Sequence, residues 1–276
     1  MSGFSAEWLS LRERADADAR SAAIAARLAR WCTGRGALRV VDLGCGTGAS
    51  VRALGPLLGE RQAWHIIDDD PDLLRSARTI LSCWADRSEA IANGLMLHKA
   101  GRLISVALEE ADLDGALPRV LEGAHVVTAF ALCDLLSAPM IGVLAETVAR
   151  HGAAFYAPLT YNGMQQWFPD TEADAVMLRA FHLHQHGDKG FGPAAGPDAP
   201  RVLAQAFAHV GYRVERADSP WHLGEQALPL IRELTRGFAD AVREMGAVPC
   251  SLIEDWLSVP RTGAIVGHTD LLALPA

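Results

Sequence analysis

The chain has 276 residues, half of them apolar, and a net charge of −8, which suits one large domain or a domain with an elaborated cap. No run of about eighteen apolar residues offers a membrane span. The acidic balance, with Lys99 and Lys189 the two lysines and the arginines dispersed, weighs against nucleic acid, whose phosphates are met by concentrated Lys and Arg.

Cys32, Cys45, Cys83, Cys133 and Cys250 form no CxxC pair, and residues 1–21 are charged from Glu7 onward with no apolar core of a signal peptide. A reduced, cytoplasmic setting is expected. Residues 5–31 read as one helix, with Ile24, Leu28 and Trp31 at i, i+4, i+7 and Gly34 and Gly36 as the stop. "LRVVDLG" is then a buried strand closing on a glycine turn, followed by a helix over about 50–58. "AWHIID" is a second strand. A second helix over 71–84 puts Leu73, Leu74, Ala77, Ile80 and Leu81 on one face. "LISVALEEADL" holds a third strand, "AHVVTAFAL" a fourth, a helix spans about 139–150, and "AAFYAPL" is a fifth strand. Such alternation predicts right-handed β-α-β crossovers and a mostly parallel sheet.

After Leu159 the rhythm breaks. Residues 160–200 hold one amphipathic helix and a Gly/Pro-rich loop, a helix covers about 201–210, and "YRVERA" is a strand. A long helix over 227–245 carries a stripe of Leu228, Ile231, Leu234, Phe238, Val242 and Met245. The stripe reads as packing, with a homodimer interface as the alternative. "TGAIVGHTDLLAL" is the last strand. Insertions at about 160–200 and 222–260 read as a cap on domain 37–276, with 1–36 a helical segment over the site.

Two stretches carry the chemistry. In "VVDLGCGTG", Gly44, Gly46 and Gly48 let the backbone take angles closed to other residues and approach a ligand closely. "GCGTGA" also satisfies the dinucleotide fingerprint GxGxxA, which leaves an NAD(P)-dependent oxidoreductase as a rival. Asp42 argues the other way. A carboxylate at that strand end would repel a pyrophosphate and suits a ligand carrying positive charge. In "IIDDDPDLL", Asp70 before Pro71 fits an N-cap followed by N1. Asp68, twenty residues after Gly48, stands where a carboxylate can accept both hydroxyls of a ribose. Asp69 lies between them.

Asp42, Gly44, Gly46 and Gly48 together resemble the D-x-G-x-G-x-G signature of class I S-adenosylmethionine-dependent methyltransferases. Over residues 38–160 the resemblance implies an α/β, three-layer Rossmann-like fold with a seven-stranded, mostly parallel sheet in the order 3-2-1-4-5-7-6 and helical cap insertions. It implies S-adenosylmethionine as cofactor, with the glycine loop including Cys45 beneath its methionine and ribose portions and Asp68 on the ribose. Asp69 would lie near the adenine edge. Asp112 would face the adenine amine, Leu113 would offer its backbone N–H to the ring, and Ala129 in "TAFALCDLL" would face the cofactor. That stretch lacks the (D/N)-P-P-(Y/F/W) motif of the family's amino-group methylases of DNA and of glutamine. Arg14 and Arg20 could reach the cofactor carboxylate if the first helix folds over the site.

The acceptor is expected to be a small molecule methylated on O or N. Tyr161, Asp188, Lys189 and Phe191 are the candidate substrate contacts, with His186 and Tyr161 as candidate bases should a proton have to leave. His182 and His186 have an i, i+4 spacing that can hold a metal, but no further ligand stands at a fitting distance in sequence, so no metal is expected. The plainer expectation is solvated His182 and His186, His184 at the edge of the core, and Gly187 as C-cap. A second rival is a non-catalytic, methyltransferase-like subunit that binds a partner.

Overall fold

The computed structural model describes residues 4–276, and in it the single helix expected over 5–31 is two, α1 (Ala6–Ala19) and α2 (Ala22–Cys32). Ser21 makes the break. Its hydroxyl caps α2 by accepting the Ile24 N–H, and its own N–H donates to Asp270 at 2.8 Å. Local capping here outcompetes a continuous helix. α2 buries Ile24 and Leu28, whereas α1 has no fully buried residue.

Next come β1 (Leu38–Leu43), α3 (Ala49–Leu54), β2 (Arg61–Asp68) and α4 (Pro71–Trp84). α3 stops short of residue 58 because Gly55 and Pro56 disfavour another helical turn. α4 begins as its Asp70–Pro71 pair predicts. The Asp70 carboxylate accepts the N–H groups of Asp72 at 2.8 Å and Leu73 at 3.3 Å.

A hairpin absent from the sequence expectation follows, β3 (Arg87–Ile91) and β4 (Gly94–Lys99), before β5 (Arg102–Glu110). Ala100 and Gly101, with φ of 48° and 78°, form the two-residue turn between β4 and β5, the geometry that matches strand twist. Gly94 has no alternative, since a Cβ there would stand 1.8 Å from the Val106 carbonyl oxygen.

The chain continues through α5 (Leu113–Val120), β6 (Val126–Thr128), α6 (Ala138–His151) and β7 (Ala154–Phe168). β7 claims residues 160–168, expected to belong to an insertion. β10 (Gly263–Pro275) pairs with it from Phe155 to Phe168, so cross-strand bonding, not the local pattern, keeps this polar stretch extended. Between them lie α7 (Asp174–Gln185), α8 (Ala199–His209), β8 (Tyr212–Asp218), β9 (Trp221–Leu223), α9 (Leu228–Met245) and α10 (Cys250–Ser258).

The sheet has ten strands in the order β3-β4-β5-β2-β1-β6-β7-β10-β8, with β9 added beside β10. Strands β5, β2, β1, β6 and β7 are parallel, and β10 lies antiparallel between β7 and β8. Without β3, β4 and β9 this is the expected 3-2-1-4-5-7-6 order, so the correction to seven strands is one of number. One face packs against α5, α6 and α8 and the other against α2, α3 and α4. A third cluster joins α7, α9 and α10 around Trp167, Trp221 and Trp256. Of the stripe on α9, Ile231, Phe238 and Val242 are buried there, Leu228 and Leu234 pack against the cluster, and Met245 is exposed. Among the described residues no helix is long and apolar enough to cross a membrane.

Candidate active site

A cavity of about 1550 Å³ opens where β1, β2, β5 and β6 end, in reach of α1, α7 and α9. Open α/β sheets bind ligands at these strand ends. The volume exceeds the roughly 300–1,000 Å³ usual for one ligand, leaving room for two.

The glycine loop after β1 forms its floor. Gly44, Gly46 and Gly48 have φ of 61°, 52° and 75°, the left-handed region that other residues enter at a cost. Two hydrogen bonds tie the loop to β2: Cys45 N–H to the Ile67 carbonyl at 2.9 Å, and Gly46 N–H to Asp68 Oδ2 at 2.7 Å. Asp68, 8% exposed, accepts the Asp70 N–H at 3.1 Å on its other oxygen. Burial raises its pKa; these N–H groups pull it down, and the charges of Asp69 and Asp70 raise it further. Each oxygen keeps acceptor capacity beyond the one N–H it holds. Cys45 also lines the cavity, and burial raises its thiol pKa so that it stays protonated.

Asp42 works from beneath. It is buried outside the cavity lining, with Oδ1 accepting the Thr128 hydroxyl at 2.5 Å and Oδ2 the Ser50 hydroxyl. Burial pushes it up to about 7 against the pull of both hydroxyls, with Asp68 adding to the rise. The expectation that this carboxylate meets a cationic ligand is therefore corrected: it joins β1, β6 and α3 under the loop.

The other expected cofactor contacts divide. Asp69, Asp112 and Leu113 line the cavity, although the Asp112 carboxylate also caps α5 by accepting the Asp114 N–H at 2.9 Å. Gly48 and Ala129 do not line it, while their neighbours Thr47, Ala49, Phe130 and Ala131 do. Arg14 is misplaced by the expectation. Its side chain is 84% exposed and pairs with Asp18 at 3.6 Å. The face of α1 turned to the cavity carries Leu9, Arg12, Glu13 and Asp16, with Arg20 just beyond, a three-and-four spacing that excludes position 14. Leu9 presses on the loop, its Cδ1 lying 2.8 Å from where a Gly46 Cβ would be, and Glu13 binds Arg52 at 2.7 Å.

On the far side, Tyr161, Asp188, Lys189 and Phe191 line the same cavity. Asp188 also shapes its own loop, accepting the N–H groups of Gly190 at 2.8 Å and Gly192 at 3.1 Å. Burial lowers the Lys189 pKa, with Glu244 raising it. His186 lies outside the cavity, exposed and 3.3 Å from the Ala194 carbonyl, so it is no base for this site. It, not Gly187, is the capping residue of α7. His182, expected to be solvated, is held by the Gly163 carbonyl at 3.0 Å and the Tyr161 hydroxyl at 3.3 Å. His184, expected at the core edge, lines the cavity and pairs with Glu244 at 3.0 Å. Burial and Asp134 raise the Tyr161 pKa, so this phenol serves as a donor and is corrected as a base.

Sequence reasoning missed Arg12, Asp134, Trp221 and His268. Arg12 binds Asp16 through two bonds of 3.0 and 3.2 Å and lies 4.9 Å over the Trp221 ring. The Trp221 Nε1–H donates to Asp16 at 3.0 Å. Burial pushes Asp134 up to about 6, opposed by backbone N–H groups and by Arg12. Burial and Arg12 push His268 down to about 3. One signal was available: a histidine within the apolar strand "AIVGHTDLL" is a buried polar group that needs a reason.

No family model matches the chain, and no curated protein matches it. Solved structures do. A cyclopropane-fatty-acyl-phospholipid synthase-like protein from Lactobacillus casei is 12% identical over 98% of this chain and 94% of its own, with a TM-score of 0.51. The YcgJ protein from Bacillus subtilis is 11% identical over 92% of this chain and 99% of its own, with a TM-score of 0.52. A SAM-dependent methyltransferase from Geobacter sulfurreducens, in complex with S-adenosyl-L-homocysteine, is 17% identical over 99% of both chains, with a TM-score of 0.47. Likeness at such identities is likeness of fold. With the strand order, it gives the chain the Rossmann-like class I methyltransferase fold, elaborated by an extra hairpin.

Proposed function

We propose that the protein is an S-adenosylmethionine-dependent methyltransferase acting on an O or N atom of a small molecule. The observation that carries this reading is the convergence of a glycine-rich loop and Asp68 on one cavity, in a sheet with an antiparallel strand inserted next to its edge. The dinucleotide fold runs 3-2-1-4-5-6 with no such insertion, which disfavours an oxidoreductase. When bound, S-adenosylmethionine would supply an electrophilic methyl group on a sulfonium, held by the glycine loop and Asp68.

The chain's own residues bind, align and exclude water. Gly44 to Gly46 offer bare backbone, Asp68 accepts the ribose hydroxyls, and Asp112 and Leu113 border the adenine. α1, within segment 1–36, covers the cofactor, and domain 37–276 supplies the rest, with Tyr161, Asp188, Lys189 and Phe191 on the acceptor side. The charge of −8 favours a small acceptor over nucleic acid, and the five free cysteines accord with a cytoplasmic setting.

Calorimetry tests the assignment. S-adenosylhomocysteine should bind and NAD should not. Asp68→Ala should weaken binding by about tenfold or more, the worth of one or two hydrogen bonds to a carboxylate, whereas Asp69→Ala should change it little. Binding of NAD in place of the nucleoside, or equal affinity in both variants, would overturn it.

A further inference from the structure

Across the cavity from the glycine loop, β7 and β10 place Tyr161 and His268 in direct cross-strand register. A break in that register between Val266 and His268 adjoins Gly267, where a Cβ would stand 2.2 Å from Asn162 Oδ1. Bulges of this kind re-aim side chains. His268 lines the cavity yet is only 5% exposed, and its buried Nδ1 has no hydrogen-bond partner among the described residues. The buried Nε1–H of Trp8, another residue of the cavity wall, also lacks one. Buried polar atoms left unpaired are costly, so two of them in one cavity wall mark a wall that the chain's own groups do not saturate.

Tyr161 adds a third unspent group. The Gly163 carbonyl can only accept, so the His182 nitrogen beside it carries the proton, and the Tyr161 oxygen accepts from that same N–H. The phenolic proton is thereby left to donate elsewhere, and no other acceptor for it exists among the described residues.

The surroundings limit what fits. Arg12 is already paired to Asp16 and occupies the Trp221 face. Asp16 already neutralises the Arg12 guanidinium, so a ligand carboxylate would find no unpaired cation there, and an ammonium would meet that guanidinium. The walls beside His268 are flat: Trp221 at 4.9 Å, Tyr161 at 6.3 Å, and Phe181 stacked on Phe238 at 4.3 Å behind them.

We propose that Tyr161 and His268 form the acceptor-recognition pair, and that the acceptor is an uncharged, flat molecule whose hydroxyl group is gripped between them. This rests on the methyltransferase reading for the other half of the cavity. A hydroxyl both donates and accepts, as a neutral imidazole and a phenol facing it require. His268 stays uncharged through the physiological range, its pKa held near about 3, so it positions the hydroxyl and does not carry off its proton.

The test is calorimetry with phenol, 2-naphthol and 4-phenylphenol, against their methyl ethers, 2-naphthoate and 2-naphthylmethylammonium, with and without S-adenosylhomocysteine. At least one hydroxyarene should bind the wild-type protein about tenfold or more tightly than its ether, with the charged probes weaker still. In His268→Phe and in Tyr161→Phe that preference should shrink to about threefold or less, with circular dichroism reporting the fold. No hydroxyarene binding, charged probes binding as well, or an unchanged preference in both variants overturns the proposal. Loss of S-adenosylhomocysteine binding with hydroxyarene binding intact would instead strike the cofactor assignment.

Discussion

At the residue scale, three aspartates show how far local sequence reaches. Asp70 caps α4 as its proline successor predicts, and Asp68 enters the cavity at the strand end where spacing puts it. Both follow from local rules. Asp42 does not, because its partners Ser50 and Thr128 come from α3 and β6, and only the folded sheet brings the latter within reach. The consequence is measurable. Its folded pKa, about 7, lies above the ordinary value of 3.8, so the folded state holds a proton that the unfolded chain has lost between those limits. Stability contributed here is present below pH 4 and declines as pH rises to 7. Asp42→Asn, whose amide can still meet both hydroxyls, should escape the decline. Thermal melts from pH 5 to 8 should show the variant gaining on the wild-type protein by a few kcal/mol, at about 1.4 kcal/mol per pKa unit. A constant gap across that range would contradict the burial argument.

At the scale of elements, most helices and the parallel strands were legible from apolar periodicity and caps, while the break at Ser21, the short elements α5, β9 and α10, the β3–β4 hairpin and the far end of β7 were not. The β3–β4 hairpin, turning at Ala92 and Asn93, hid between the second helix and the third strand, because the apolar Leu95-Met96-Leu97 run breaks the alternation that marks a half-buried strand. The polar end of β7 takes strand form only because β10 pairs with it. α1 is an element of another kind. With no buried residue, it is seated by Leu9 on the glycine loop, by Glu13 on Arg52 and by Asp16 on Trp221. Trp8, Leu11, Ala15 and Ala19 add only partly buried packing against the third cluster, which leaves α1 a low local opening energy. Asp16→Ala removes the partner shared by Arg12 and Trp221, and trypsin should then cut after Arg12, Arg14 or Arg20 several-fold faster. S-adenosylhomocysteine should slow that cleavage in the wild-type protein. Equal digestion rates, followed by mass spectrometry, would show that α1 is anchored by something else.

Over the whole molecule, the site draws on segments that are distant in sequence: Arg12, Asp68, Tyr161, Trp221 and His268 all border one cavity. The part of the cavity lined by the glycine loop, Asp68 and Asp112 is compact in sequence, within residues 44–113, and its lining was legible there; the opposite wall is assembled by tertiary structure and was legible only in part. Deleting residues 263–276 should abolish a cooperative melt by circular dichroism, since it leaves the facing edges of β7 and β8 without the strand between them. A sharp transition in the shortened chain would show that the rest of the sheet holds by itself.

That strand has a bearing on how the chain is made. Because β10 lies between two strands that the ribosome delivers earlier, both must wait with open backbone edges until β10 emerges. Unpaired edges attract other chains. Until Gly263 to Pro275 slots in, newly made copies should be vulnerable to sticking together, and His268 joins the cavity only with that strand.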